Sequence, residues 1–166
     1  AYTFVTPGMI GYSAEVDTYA QGLHPHDVAT AQALLADAGW SDSDGDGIVE
    51  KDGEPLAIEF LIATDATDQA QAAQVLQSQL KEIGIDLQIS QQERNALWDT
   101  KTAGDFDMGF ENYGWPDPDI LSVVLGSDFW NHANFDNPTV MDELTKARYI
   151  MDPTERIAAY AAIQRQ

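Results

Sequence analysis

A chain of 166 residues with 28 acidic against 8 basic side chains carries a formal net charge of -20, a field that repels phosphate backbones and anionic membrane surfaces and excludes nucleic acid as a partner. With 44% hydrophobic and 22% charged residues, the composition is that of an ordinary globular chain, long enough to form one compact unit without metals or disulfides. The absence of cysteine removes a disulfide framework, a thiolate zinc site and a cysteine nucleophile. The plain reading of the charge is a solvated acidic surface, as in proteins adapted to high salt. No apolar run reaches membrane-spanning length, and AYTFVTPGMIGYS lacks the basic-then-apolar pattern of a signal peptide, so the signal of an exported parent is expected outside this chain.

Residues 1–23, rich in Gly, Tyr and Thr and without a clear period, are expected to form an irregular leading segment. From His24 the pattern turns helical. Pro25 suits a first helical position and Asp27 the first turn, while Val28, Ala31, Leu34, Leu35 and Ala38 share a face and Gly39 supplies the stop. Residues 56–63, LAIEFLIA, are a short apolar run before the polar stretch 64–68, and predict a buried strand followed by a helix N-terminus. In that helix Ala72, Leu76, Leu80 and Ile83 keep helical spacing, and Gly84 ends it.

IDLQIS, residues 85–90, alternates apolar and polar as a strand does, so the order strand, helix, strand predicts a right-handed βαβ unit with parallel strands. A helix over 93–103 and a strand over 106–110 extend it. Two more helices are expected after Asn137-Pro138 and Asp152-Pro153, each opened by a capping residue and an N1 proline. The predicted fold class is α/β, a mixed and mainly parallel sheet flanked by helices. IAAYAAIQRQ carries no helix stop, so this helix is expected to run on in a longer parent.

The most specific local pattern is Asp42-Ser43-Asp44-Gly45-Asp46-Gly47-Ile48, which places oxygen donors at alternate positions around a turn glycine, as EF-hand calcium loops do. Asp42, Asp44 and Asp46 supply carboxylates and Ile48 a carbonyl. At the twelfth position, where such loops carry a bidentate Glu, this chain has Gly53, with Asp52 and Glu50 as substitutes. The competing reading is an acidic Asp/Gly turn between a helix and a strand.

YGWPDPDIL, residues 113–121, follows the third predicted strand, and the C-terminal strand ends of open α/β sheets are where ligands bind. Tyr113, Gly114 and Trp115 are candidate lining residues, with Trp115 able to stack on a ligand and Asp117 and Asp119 able to accept hydrogen bonds. The alternative makes Trp115 core and both acids turn formers or helix caps. The irregular stretch Phe129 to Phe135 adds Trp130, His132 and Asn134 as candidate ligand contacts, against simple packing beneath the final helices. A carboxylate pair at Asp117 and Asp119 raises the possibility of a hydrolase, but the sequence holds no GxSxG elbow, Walker loop, GxGxxG or HExxH.

Six segments in order carry a family resemblance: ALLADAGW at 33–40, DSDGDGIVEKDGEPL at 42–56, QSQLKEIGIDLQI at 77–89, KTAGDFDM at 101–108, PDPD at 116–119 and NPTVMDELTKAR at 137–148. Together they resemble the extracellular solute-binding proteins of family 5, which include the dipeptide-, oligopeptide- and nickel-binding receptors of ABC importers. The resemblance implies an extracytoplasmic, monomeric receptor, periplasmic or anchored to the cell surface as a lipoprotein. It closes two lobes over a small solute, delivers it to an ABC permease and has no catalytic residues. This chain would form most of the C-terminal lobe of the class II binding-protein fold. In peptide-binding members an Asp two residues before the PDP-like triplet pairs with the ligand's terminal amine; here that position is Gly114, which counts against a peptide bound in that way. Calcium, if bound, would be structural.

Overall fold

Residues 60–63 are apolar on both faces of an extended chain, and their strand becomes the centre of the sheet. A computed structural model of the protein describes residues 3–23, 25–126 and 130–166; the expectations placed on His24 and Phe129 lie outside them. In chain order the elements are α1 (Ala14–Leu23), α2 (Val28–Asp37), β1 (Glu50–Lys51), β2 (Glu54–Pro55), β3 (Ala57–Ala63) and α3 (Thr67–Lys81). Then follow β4 (Asp86–Gln92), α4 (Arg94–Ala103), β5 (Met108–Gly109), α5 (Ile120–Gly126), α6 (Pro138–Arg148) and α7 (Pro153–Ile163). Contacts divide the chain into two compact units, one of residues 1–25 with 112–166 and one of residues 26–111, where length alone suggests a single one.

In the unit of residues 26–111, β3 pairs in parallel with β4 from Ala57↔Asp86 to Ala63↔Gln92, and with β5 at Phe60↔Met108 and Leu61↔Gly109, giving the order β4-β3-β5. This is the predicted parallel arrangement. Phe60 and Ile62 project to one face, where Leu87 of β4 and Ala73 of α3 complete a buried cluster joined by Leu76 and Leu80. Phe110 meets Phe60 edge-on, with ring centroids 5.0 Å apart. Leu61 and Ala63 are buried on the opposite face, the side from which α4 reaches β3. The residue in the core is Ala73, whereas Ala72, expected there from the spacing, is exposed.

Several expected boundaries shift for identifiable reasons. Asp27 is the N-cap of α2, accepting from Thr30 N at 2.6 Å, so Pro25 lies ahead of the helix. The expected apolar face of α2 is largely open, with Leu34 64% exposed and no residue of the helix buried. The leading segment, expected to be irregular, contains α1. Its first turn is held by the Ser13 hydroxyl accepting from Val16 N, and Val16 is its one buried residue, so the helix has no apolar stripe to betray it.

Asp52 and Gly53, at φ 57° and 85°, form the two-residue turn of the β1–β2 hairpin. Gly84, at φ +87°, ends α3 under Val49; a Cβ there would lie 2.6 Å from Val49 Cγ1, so both backbone and space demand glycine.

One buried charge organises the far edge of the sheet. Lys101 of α4 is 5% exposed, and its ammonium donates to Phe110 O at 2.6 Å and Glu111 Oε1 at 2.7 Å. It lies against Gly109, where a Cβ would come within 3.3 Å of Lys101 Cε. Removing the ammonium leaves the half-buried Phe110 carbonyl without this donor and opens a void, so Lys101→Ala is expected to lower stability by about 3 kcal/mol in urea unfolding; a loss below about 1 kcal/mol would show that the buried amine contributes little.

Candidate functional site

In the unit formed by residues 1–25 and 112–166, the core is Val5, Leu121, Val140, Leu144, Ala147, Tyr160 and Ile163, contributed by the leading segment and by α5, α6 and α7. The PDPD segment is tied to this core by its own carboxylates. Asp117 receives both Arg156 guanidinium nitrogens, Nη1 at 2.9 Å and Nη2 at 2.8 Å, and also accepts from Asp119 N at 2.9 Å. Asp119 accepts from Arg148 Nη2 at 2.8 Å, Ser122 Oγ at 2.8 Å and the Tyr160 hydroxyl at 3.1 Å. Two arginines on two helices thus hold one turn. Pro118 is fully buried, and Gly11, at φ +88°, gives it room.

The electrostatics follow from those bonds. The Arg156 guanidinium holds the Asp117 carboxyl below its ordinary range against the opposing effect of burial. Burial pushes Asp119 upward, but hydrogen bonds from Arg148, Ser122 and Tyr160 outweigh it and leave the carboxyl lowered. Burial, reinforced by the Asp119 charge, raises Tyr160 to about 12. Asp117 is therefore an anchor whose oxygens are already engaged. Sequence reasoning named the acids but not Arg148, Arg156 or Tyr160, which lie 29 to 41 residues away and carry no local signal.

The aromatic candidates are placed differently. Trp115 is 46% exposed, and Ile10 N donates to Pro116 O beside it at 3.0 Å. Gly114 faces open space. The rings of Tyr113 and Trp130 lie 5.2 Å apart, tilted by 44°, so these two candidates meet. His132 is half-buried; Asn134 is exposed at φ 50°. Asn131 closes the loop around them, donating to Phe135 O and accepting from Phe135 N, each at 2.8 Å. Asn131, Asn134 and Phe135 line an open depression of about 390 Å³ with Leu125, Gly126, Asp136 and Met141.

In the other unit, carboxylate oxygens of Asp42, Asp44, Asp46 and Glu50 lie within 4.8 Å of one another. The Asp side chains also fold the loop: Asp42 accepts from Gly45 N and Gly47 N, Asp44 from Asp46 N, and Asp46 from Ile48 N. Glu50 joins this cluster from β1 and accepts from Ser43 N at 2.7 Å. Asp52, the other substitute, sits in the hairpin turn instead, because its positive φ with Gly53 is what closes β1 onto β2. The Asp-Gly pair was the readable signal for that hairpin.

Among the described residues no helix is long and apolar enough to cross a membrane. Residues 1–134 match the family described as "Bacterial extracellular solute-binding proteins, family 5 Middle", and the chain belongs to that family. The family is one of extracellular solute-binding proteins, which places the protein outside the cytoplasm. The nickel-binding periplasmic protein of Escherichia coli is 31% identical over 152 residues, covering 86% of this chain and 29% of that protein. Among solved structures, the oligopeptide-binding protein AppA of Bacillus subtilis in complex with a nonapeptide superposes with a TM-score of 0.81 at 26% identity, over 99% of this chain and 33% of that one. NikA of Brucella suis in complex with Fe(III)-EDTA gives the same TM-score at 28% identity, over 99% and 34%. The chain spans less than a third of the length of the curated relatives it matches.

The lowered carboxyls make stability pH-dependent with a definite sign. Their contribution is complete above the ordinary Asp value of 3.8 and is lost as pH falls through the lowered folded values. That of Tyr160 is complete below 10 and lost as pH rises toward about 12. Arg156→Gln is expected to cost about 2 kcal/mol at pH 7, with the gap in melting temperature from the parent chain narrowing between pH 5 and pH 2; a gap independent of pH would contradict the ion pair.

Proposed function

We propose that this chain is the C-terminal ligand-binding lobe of a larger two-lobed receptor, the substrate-binding component of an ABC importer. It captures a small solute when the cleft closes and passes it to the permease. The observation that carries this reading is the family match over residues 1–134, together with an exposed Trp115 at the end of a segment clamped by arginines. Tyr113, Gly114, Trp115, Trp130, His132 and Asn134 form the lobe's wall, with aromatic rings for stacking and amide and imidazole groups for a few directed hydrogen bonds. Asp117 holds that wall in shape. The solute is oligopeptide-like or a metal chelate, the classes named for the relatives, with an oligosaccharide as the alternative, and Gly114 removes the carboxylate that would pair with a peptide amine. The receptor works as a monomer, free in the periplasm or anchored at the cell surface.

Binding without catalysis is supported by the state of the two acids. A glycosidase-type general acid needs a raised pKa, whereas Asp117 and Asp119 are both lowered by arginine. Because one lobe supplies half of the contacts, calorimetry on the 166-residue chain is expected to detect no tight uptake, and mass spectrometry of the intact receptor should find one co-purifying solute class. In that receptor Trp115→Ala should weaken binding about tenfold or more by removing a stacking surface. Stoichiometric high-affinity uptake by the lone chain would overturn the half-site, and an unchanged Kd for Trp115→Ala would remove the tryptophan from it.

A second reading, compatible with the first, is structural calcium held by Asp42, Asp44 and Asp46, with Glu50, one of the two substitutes, joining them and the Ile48 carbonyl as a further ligand. The convergence of four carboxylates favours it. Saturating calcium at about a hundred times Kd should then add about 2.7 kcal/mol, raising the melting temperature by several degrees relative to chelator; identical melting in both would discard the ion.

A further inference from the structure

Folding gathers the acids of this chain without gathering enough bases to offset them. Of the 8 Lys and Arg residues, six are committed to carboxylates within the chain: Arg94 to Asp65, Lys101 to Glu111, Lys146 to Asp142, Arg148 to Asp119, Arg156 to Asp117 and Arg165 to Glu15. Among the described residues Lys51 turns its ammonium to Ala38 O, and it and Lys81 are in none of these pairs, against 28 acids in the chain. The imbalance is sharpest over residues 42–54, where six carboxylates accompany a single lysine and four of them converge within 4.8 Å.

We infer that the folded chain depends on a surrounding shell of monovalent cations, so that its stability rises with ionic strength over the molar range. A folded chain of this length has a radius of gyration of about 15 Å against about 43 Å unfolded, so folding confines the net charge to a much smaller body. At 0.1 M salt the Debye length is about 10 Å, comparable with the folded radius, and repulsion across the surface persists; at 1 M it is about 3 Å, and repulsion survives only between immediate neighbours. Salt also weakens the six ion pairs. The exposed pairs of Arg94, Lys146 and Arg165 contribute little to begin with and the partly buried pairs of Lys101, Arg148 and Arg156 are screened much less, whereas the uncompensated repulsion involves the whole surface, so the net effect of salt is stabilising.

The test is the melting temperature of the 166-residue chain in NaCl and in KCl from 0.05 to 1 M, beside a variant with less charge. Asp37, Glu54, Glu82, Asp99 and Asp105 are exposed and outside the ion pairs and caps described above. Exchanging these five for lysine replaces -1 by +1 at each and moves the net charge from -20 to -10. The parent chain should gain on the order of 10 °C or more in either salt, the variant less than half of that gain, and sucrose should not reproduce the difference. The amide series Asp37→Asn, Glu54→Gln, Glu82→Gln, Asp99→Asn and Asp105→Asn gives an intermediate slope and serves if the lysine variant misfolds. A melting temperature that is flat or falling with salt overturns the inference, as does an equal gain in parent and variants, which would mark a general salting effect on apolar burial. So would a chain that responds to millimolar calcium but not to NaCl, or one that is unfolded at every salt concentration.

Discussion

The bidentate grip of Arg156 on Asp117, doubled by Arg148 and Tyr160 on Asp119, is the constraint on which the helical unit rests. A PDPD turn has no regular hydrogen-bond ladder, and each of its acids is stable in a partly buried place only because a fixed guanidinium faces it. That grip joins the start of α5 to α6 and α7. Trp115 stays 46% exposed while the acids two and four positions later do the anchoring. A segment that presents an aromatic surface to a solute needs such a rigid root, since ordering it on binding would subtract from affinity.

The sheet unit solves the same problem by different means. Its central strand is buried on both faces, which suits parallel pairing and fixes the register over seven residue pairs with β4. The short β5 has only two paired residues, and side chains supply what the ladder does not. Asp107 accepts from Glu59 N at one end, and the Lys101 ammonium holds the carbonyl of Phe110 at the other. Charged side chains at the two ends of β5 therefore work locally, satisfying backbone groups where secondary structure ends.

Elsewhere the charge works collectively. The paired carboxylates make up a small part of the acids, and the remainder cover a surface that few bases offset. The same composition gives solubility and resists association through repulsion, and it makes the solution's ions a participant in the fold. The Asp42–Glu50 loop is the extreme case, where backbone amides hold the carboxylates together against their mutual repulsion.

What the sequence determined by itself was the periodic content: the parallel βαβ order, the strand over 56–63, the helices opened by Asn137-Pro138 and Asp152-Pro153, and the family. Such signals are local, and propensity and burial pattern act within a few residues of one another. α1 escaped because one buried valine makes no stripe, and the open face of α2 was misjudged because amphipathic spacing says which face is apolar, not whether a neighbour covers it. The candidate residues were legible as a segment but not in their roles. Only the tertiary structure decided that Asp117 is an anchor, that Tyr113 meets Trp130, and that Glu50 rather than Asp52 joins the acidic loop. Each of those outcomes depends on a partner or a turn geometry set by the folded backbone, and the pairing of side chains distant in sequence leaves no trace in local spacing.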